Sequence, residues 1–410
     1  MCDKNFVPAF RFMVVSDVHY KDAHTVERDR FEKAIEIAYR IARNHETYKK
    51  LDALFVVGDF ADNGSEIQMR AFKDSIDRCV NKDETDVVIT LASHEFSQKN
   101  GGEEAALERF SKIFNMPYDQ HKVINGFHCI SLTTTKGCRF DDNKKEFAAK
   151  ALREAADDDP KKPIFFFQHP HCTDTVYGSI CWGEDDLIPI LANYPQVINF
   201  SGHSHAPIND PRSIHQRYFT ALGTGSLSYF ELDEFGKVYG TVPPKAENCA
   251  QMLIVEADKD NRVRVYPYDV LTDNYFPFVW KIDTPSDPST FIYTDERYKT
   301  DIKPYFTEDA RAWAEEIGKD SFVITFDQAK IDKDYVDGYD ITVRNKATGA
   351  VEKQVSIWSE YYFFDMPKTL SQKIDGLKPD TEYEVEITAE SFWLTESDNS
   401  LKTEFKTLAE

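Results

Sequence analysis

The chain has 410 residues, 41% of them apolar, and a formal net charge of −22. That length supports a large core and two or three domains. So acidic a surface repels a polyphosphate backbone, which argues against nucleic acid as a general partner and leaves an anionic substrate dependent on a local positive centre.

No apolar run approaches the roughly 18 residues of a membrane span. The opening "MCDKNFVPAF" has no apolar signal-peptide core. Cytoplasmic placement is the expectation. The alternative is an exported form with its signal trimmed, in which Cys2 would be a lipoprotein remnant rather than incidental. The seven cysteines are odd in number and form no C-x-x-C pair, so a reduced, mostly core role is expected.

In chain order, "FRFMVVSD" reads as a strand. The residues from about Val26 to Arg43 read as a helix, with Phe31, Ile35, Ala38 and Ala42 on one face. "LDALFVVGD" is a second strand, "EIQMRAFKDSIDRCV" a second helix and "DVVITLA" a third strand. "FHCISLTT", "PIFFFQ" and "QVINFSG" are further strands, with "KKEFAAKALREAADD" a helix before the second of them. This alternation predicts an α/β domain. From Tyr218, "RYFTALGTGSLSYFEL", "AQMLIVEAD" and "RVRVYPYDV" read as consecutive strands of a second sheet packed on the first.

The expected domains are 1–275, a linker at 276–318 carrying a short helix in "EDARAWAEEI", and an all-β sandwich at 319–410. The last has six alternating runs from "SFVITFD" to "KTEFKT". Its "GLKPDTEYEVEITA", with Leu377, Pro379, Thr381 and Tyr383, resembles the tyrosine corner of a fibronectin type III domain.

Polar residues gather at the strand ends: Asp17 and His19, then Asp59, then Ser93 and His94, then His169, then His203 and His205. In an open α/β sheet these ends share one edge. Imidazole and carboxylate together suit Zn, Mn or Fe, and two Asp with four or five His exceed the needs of one cation with an open position. The pattern predicts a two-metal hydrolytic centre. His169 directly follows its strand and is preferred over His171 as the ligand. Asp62, in "DNG", is either a turn residue or a supporting one. Tyr177 and Tyr229 are candidates for a substrate pocket, as are the loops at 97–120 and 172–186.

The ordered segments "DVH" (17–19), "GDFADNG" (58–64), "ASHE" (92–95), "QHPH" (168–171) and "GHSH" (202–205) resemble the calcineurin-like metallophosphoesterases over residues 8–275. That family's pattern is D-x-H, G-D-x-x-[DN], G-N-H-[DE], a lone His, and G-H-x-H. The resemblance implies an α/β fold, a two-sheet β-sandwich flanked by helices, holding two divalent metal ions (Mn, Fe or Zn). It implies Asp17, His19 and His205 on the first ion, Asp59 bridging, and His169 and His203 on the second. His94 would be the general acid toward a small phosphate mono- or diester, with Glu95 orienting it or facing solvent. Ala92 and Ser93 stand where the family has Gly and the metal-ligating Asn. Ser93 therefore predicts a weakened second site, and the alternative of a metal- or ligand-binding protein with little activity.

Overall fold

In the computed structural model, which describes residues 6–233, 235 and 239–409, the chain divides into Met1–Asp295 and Glu296–Glu410. Cys2 lies outside the described residues.

The first unit is built on two mixed sheets. The strands Pro8–Val15 (β1), Ala53–Val57 (β2) and Asp86–Thr90 (β3) run parallel, with Gln251–Asp258 antiparallel on the other side of β1 and Val263–Asp269 beyond it. The second sheet runs Ile214–Gln216, Thr220–Gly223, Val197–Ser201, Ile164–Gln168 (β6), Phe127–Leu132 (β5), Gln120–Ile124 (β4). Strands β5, β6 and Val197–Ser201 are parallel, so their carboxyl ends share one edge.

Phenylalanines bind the sheets face to face. Phe55 of β2 stacks on Phe167 of β6 at 3.9 Å, and Phe12 of β1 meets Phe165 at 4.9 Å and Phe200 at 5.9 Å. Each ring buried there stabilises the sandwich by about 2–3 kcal/mol.

Helices cover the outer faces. Val26–Asn44 (α1) presents Phe31, Ala34, Ile35, Ala38 and Ala42 to the core at helical spacing. Glu66–Cys79 (α2) starts where Ser65 Oγ accepts the Gln68 N–H at 3.2 Å. Gly102–Phe114 (α3) packs Ala106, Phe110 and Phe114 inward, so residues 97–120 are largely helical and not a long loop. Asp142–Asp158 (α4), capped by Asp141, covers the second sheet.

Three further expectations are corrected. The strands after Tyr218 do not make a sheet of their own: Thr220–Gly223 extends the second sheet, whereas Gln251–Asp258 and Val263–Asp269 extend the first. Apolar content marks a strand but not its neighbour. The 276–318 segment is no simple linker, because Trp280–Ile282 pairs with Val263–Asp269. Nor is "EDARAWAEEI" a helix, for Ala312–Glu315 is a strand paired with Ser321–Asp327. Its Ala and Glu favour helix, but pairing with a neighbouring strand overrides the propensity.

The second unit is all β. One sheet holds Ala312–Glu315, Ser321–Asp327 and Thr369–Asp375; the other holds Val351–Trp358, Gly338–Asn345, Glu382–Glu390 and Leu401–Lys406. They enclose one core, in which Phe322 and Phe405 meet at 4.0 Å. Tyr383 is fully buried, and its hydroxyl accepts the Lys378 N–H at 2.9 Å.

Candidate metal centre

Each polar segment begins within a few residues of a strand's carboxyl end. Asp17 and His19 follow β1, Asp59 follows β2, Ser93 and His94 follow β3, His169 follows β6, and His203 and His205 follow Val197–Ser201. To turn at these points, Asp17, His19, Asp59, His203 and His205 all take left-handed backbone, with φ of 52°, 54°, 49°, 73° and 52°. Non-glycine residues rarely do so, and such strain gathers at functional sites.

The side chains form two adjoining clusters. The ligand-capable atoms of Asp17, His19 and His205 lie within 4.8 Å of one another, and so do those of Asp59, His169 and His203. His205 Nε2 is 3.2 Å from Asp17 Oδ1 and 3.2 Å from His19 Nε2. His169 Nε2 is 2.9 Å from Asp59 Oδ2 and 3.8 Å from Asp17 Oδ1.

A cation fits these residues on a specific observation. His169 Nδ1 is 2.7 Å from the Val57 carbonyl, to which its N–H donates, so Nε2 is the nitrogen turned toward the cluster and the one a cation would take in place of a proton. That buried Nε2 lies 2.9 Å from Asp59 Oδ2 and 3.8 Å from Asp17 Oδ1. Two acceptors converge there, and Asp17 and Asp59 are themselves almost wholly buried. Buried carboxylates among imidazoles are the donor set of Zn, Mn or Fe.

The electrostatics of the site carry the same tension. Burial alone would raise Asp17 and Asp59, but His205 and His169 beside Asp17, and His169 beside Asp59, hold both well below the usual carboxylate range. Burial pulls His169 down, yet Asp59 and Asp17 lift it to about 10. Burial, reinforced by repulsion from neighbouring imidazoles, lowers His203 to about 4 and His19 well below its ordinary value.

His94 is half-buried at the rim. Its Nδ1–H donates to the Asp62 carbonyl at 2.7 Å, its main-chain N–H donates to Asp59 Oδ1 at 3.0 Å, and its ring meets that of His19 edge-on at 4.5 Å. Asp62 thus supports His94 through its backbone, while its side chain pairs with Lys21. Ser93 Oγ lies 3.2 Å from Asp59 Oδ2. Ala92 keeps ordinary negative φ, which is why it replaces the family's Gly without strain.

The remaining candidates separate clearly. Both ring nitrogens of His171 are satisfied at 2.7 Å, by Ser201 and Ser204, so this histidine is a buried structural residue. The Tyr177 ring is covered by the Arg212 guanidinium at 4.0 Å and its hydroxyl accepts the Asp233 N–H, so it packs rather than lining a pocket. The Tyr229 ring lies 4.3 Å from that of His205, and its carbonyl accepts from His205 Nδ1 at 3.0 Å. In the 172–186 segment, Trp182 meets the His203 ring edge-on at 5.0 Å.

Glu95 neither orients His94 through its side chain nor faces solvent. It is fully buried, and its carboxylate accepts the N–H groups of Asp59, Ala61 and Ala92 at 3.1, 2.8 and 2.9 Å. Cys138 is unforeseen too: its sulfur lies 3.3 Å from His203 Nε2. The available signal was its place in "LTTTKGCRF", just past the end of β5 at the shared edge. All six described cysteines are free, and three of them, Cys129, Cys172 and Cys249, are buried.

Residues 10–207 match the family model of calcineurin-like phosphoesterases. No curated protein matches the chain. Among solved structures it is similar to a purple acid phosphatase, PPD1, from yellow lupin (Lupinus luteus) seeds, at 14% identity and TM-score 0.48. That match covers 68% of this chain and 55% of the other. It is also similar to the FN5 domain of Drosophila Lar, at 21% identity and TM-score 0.18, over 26% of this chain and 97% of that one. An FN3 domain of human collagen XX matches at 16% identity and TM-score 0.20, over 26% of this chain and 93% of the other. The five polar strand ends, which meet at one edge of a two-sheet sandwich, all lie within the residues 10–207 that match the calcineurin-like phosphoesterase family model.

Proposed function

We propose that the protein hydrolyses phosphate esters, with divalent cations at the two clusters and His94 as the proton donor. The observation that carries this reading is the pair of buried clusters, Asp17 with His19 and His205, and Asp59 with His169 and His203, each with its ligand-capable atoms within 4.8 Å of one another. Divalent cations bound there supply Lewis-acid polarisation of phosphoryl oxygens and make a water nucleophilic near neutral pH.

The protein's own residues position the rest. Asp17, His19 and His205 would hold the first cation, His169 and His203 the second, and Asp59 would serve both. Asp17 Oδ1 lies only 3.8 Å from His169 Nε2, so the two clusters adjoin. The His94 main-chain N–H on Asp59 Oδ1 ties the acid to that carboxylate. Because Nδ1–H is committed to the Asp62 carbonyl, His94 exchanges its other proton at Nε2. In the imidazolium form, Nε2–H protonates the departing ester oxygen, a general-acid step worth about 10²–10⁴ in rate. The fibronectin-like unit contributes no catalytic group to this scheme.

The test strips the protein with a chelator and assays p-nitrophenyl phosphate and bis-(p-nitrophenyl) phosphate as Mn²⁺, Zn²⁺ or Fe²⁺ is returned. Turnover should vanish on stripping and return with the metal. His94→Asn should retain bound metal while lowering kcat by about 10²–10⁴. Cations bound without turnover of any ester would favour the metal-binding alternative that Ser93 suggests.

A further inference from the structure

We propose that the centre prefers phosphate esters whose alcohol carries an ammonium group, and that Glu231, with the rings of Tyr229 and Trp182, receives that cation. The proposal rests on the phosphate-ester reading of the two clusters.

The three side chains form an arc from one cluster to the other. Tyr229 lies on the first, its ring 4.3 Å from that of His205 and 5.9 Å from that of His19. Its hydroxyl donates to the Glu231 carboxylate, and the Glu231 main-chain N–H donates to the His205 carbonyl at 3.3 Å. Trp182 lies on the second, its ring edge-on to His203 at 5.0 Å. Gly240 stands between the carboxylate and the indole. It has φ +90°, and a Cβ there would fall 3.4 Å from Glu231 Oε2 and 3.3 Å from the Trp182 ring. The absence of that Cβ keeps open the point on which both groups converge.

The arc is braced from behind. The Tyr239 hydroxyl donates at 3.1 Å to the carbonyl of Ser204, the residue between His203 and His205. The Tyr239 ring lies 6.4 Å from that of Trp182 and 5.4 Å from that of Tyr177. In front, Tyr229, Glu231 and Trp182 are all partly exposed, so the arc is open to a ligand.

Its charge selects the ligand. Glu231 is a carboxylate set beside a site for anionic esters. Burial disfavours its charge, and the offsetting groups are His205, the Tyr229 hydroxyl and His94. Among the described residues, no lysine or arginine pairs with it. A part-buried carboxylate wants a cation, and aromatic faces attract an ammonium. The substrate can bring both ends at once, its phosphoryl group to the clusters and its ammonium to the arc. Glu231 is near enough to His94 for their charges to interact. Under the proposed function His94 protonates the departing oxygen, so the ammonium belongs to the leaving alcohol. A second phosphate or a carboxylate on that side would meet Glu231 and be repelled.

The experiment measures phosphate release by metal-loaded full-length protein from choline phosphate and from 3,3-dimethylbutyl phosphate. The second ester has the same shape, with carbon in place of the charged nitrogen. The ratio of kcat/KM should favour choline phosphate by about tenfold or more. Glu231→Gln should collapse that ratio toward one and Trp182→Leu should reduce it, with circular dichroism spectra showing that both variants fold. Calorimetric titration of chelator-stripped protein with choline reads the same contact without turnover, and binding should weaken about tenfold in Glu231→Gln. Equal kcat/KM for the two esters, or a ratio that Glu231→Gln leaves intact, would overturn the proposal while the phosphate-ester reading stands. Absence of turnover from every ester would remove that reading. Choline binding that depends on Glu231 would then still support the cation subsite, and its absence would overturn the subsite as well.

Discussion

Glu95 is the residue on which the centre's backbone hangs. Three N–H donors from two loops converge on its carboxylate, so it joins the turn after β2 to the turn after β3. Burial and the neighbouring Asp59 charge push its pKa up, while the donors oppose them. Glu95→Gln keeps the shape but turns an amide NH₂ toward backbone N–H groups. The expected result is a loss of about 1–3 kcal/mol in denaturant unfolding of the stripped protein, and weaker metal binding through the displaced Asp59. An unchanged midpoint and affinity would show that the brace is dispensable. His169 sets the pH behaviour of loading. Asp59 and Asp17 raise it from 6.5 to about 10, so through neutral pH a cation must displace its proton. A raised imidazole binds its proton throughout the range below about 10, and each step up in pH removes some of that competition. Metal affinity measured against a chelator should therefore rise from about pH 6 to about pH 8.5; a flat or falling profile contradicts this. A His169→Ala variant should lose most of that dependence at the second site.

At the scale of elements, two strand-end glycines divide the clusters between them. Gly58 has φ +82°, and a Cβ there would fall 2.5 Å from His169 Nδ1, against the ring that donates to Val57. A Cβ on Gly202 would fall 2.5 Å from Asp17 Oδ2 instead. Gly58→Ala should therefore empty the second cluster first, and Gly202→Ala the first. Metal counts per chain should fall in both, and the two substitutions combined should lower the count further than either alone; a double variant no worse than one single variant would refute the assignment. These ends were legible because a charged or imidazole side chain interrupts an apolar run, and no packing demand puts it there. Other features were hidden for physical reasons. The hairpin from Gln120–Ile124 to Phe127–Leu132 turns on Asn125-Gly126, a strong turn signal, yet "QHKVI" has little apolar content. Ala312–Glu315 alternates in burial, but alanine and glutamate conceal the period of two. Cys138 and Glu95 touch residues of the centre only through contacts closed by distant segments, which no local period records.

Across the whole molecule, the net charge of −22 means that, under the proposed function, cations held at the two clusters would be the local positive centre an anionic ester needs. The second unit is a separate core, and Tyr383 tests that separateness. Its hydroxyl accepts the Lys378 N–H at 2.9 Å inside the second unit's own hydrophobic cluster, five residues back along the chain. Tyr383→Phe keeps the ring against Phe405 but leaves that N–H without its acceptor. Loss of the bond costs about 1–2 kcal/mol, which for a unit of residues 296–410 lowers its midpoint by about 4–8 °C per kcal/mol. Every residue of the cation clusters lies before Asp295. Calorimetry of full-length Tyr383→Phe should thus show one transition moved down and another in place, with metal content and turnover of p-nitrophenyl esters at wild-type values. A single transition that shifts as a whole would mean the two cores melt as one. A fall in bound metal would mean that the second unit reaches the centre, and the assignment of catalysis to the first unit alone would fail.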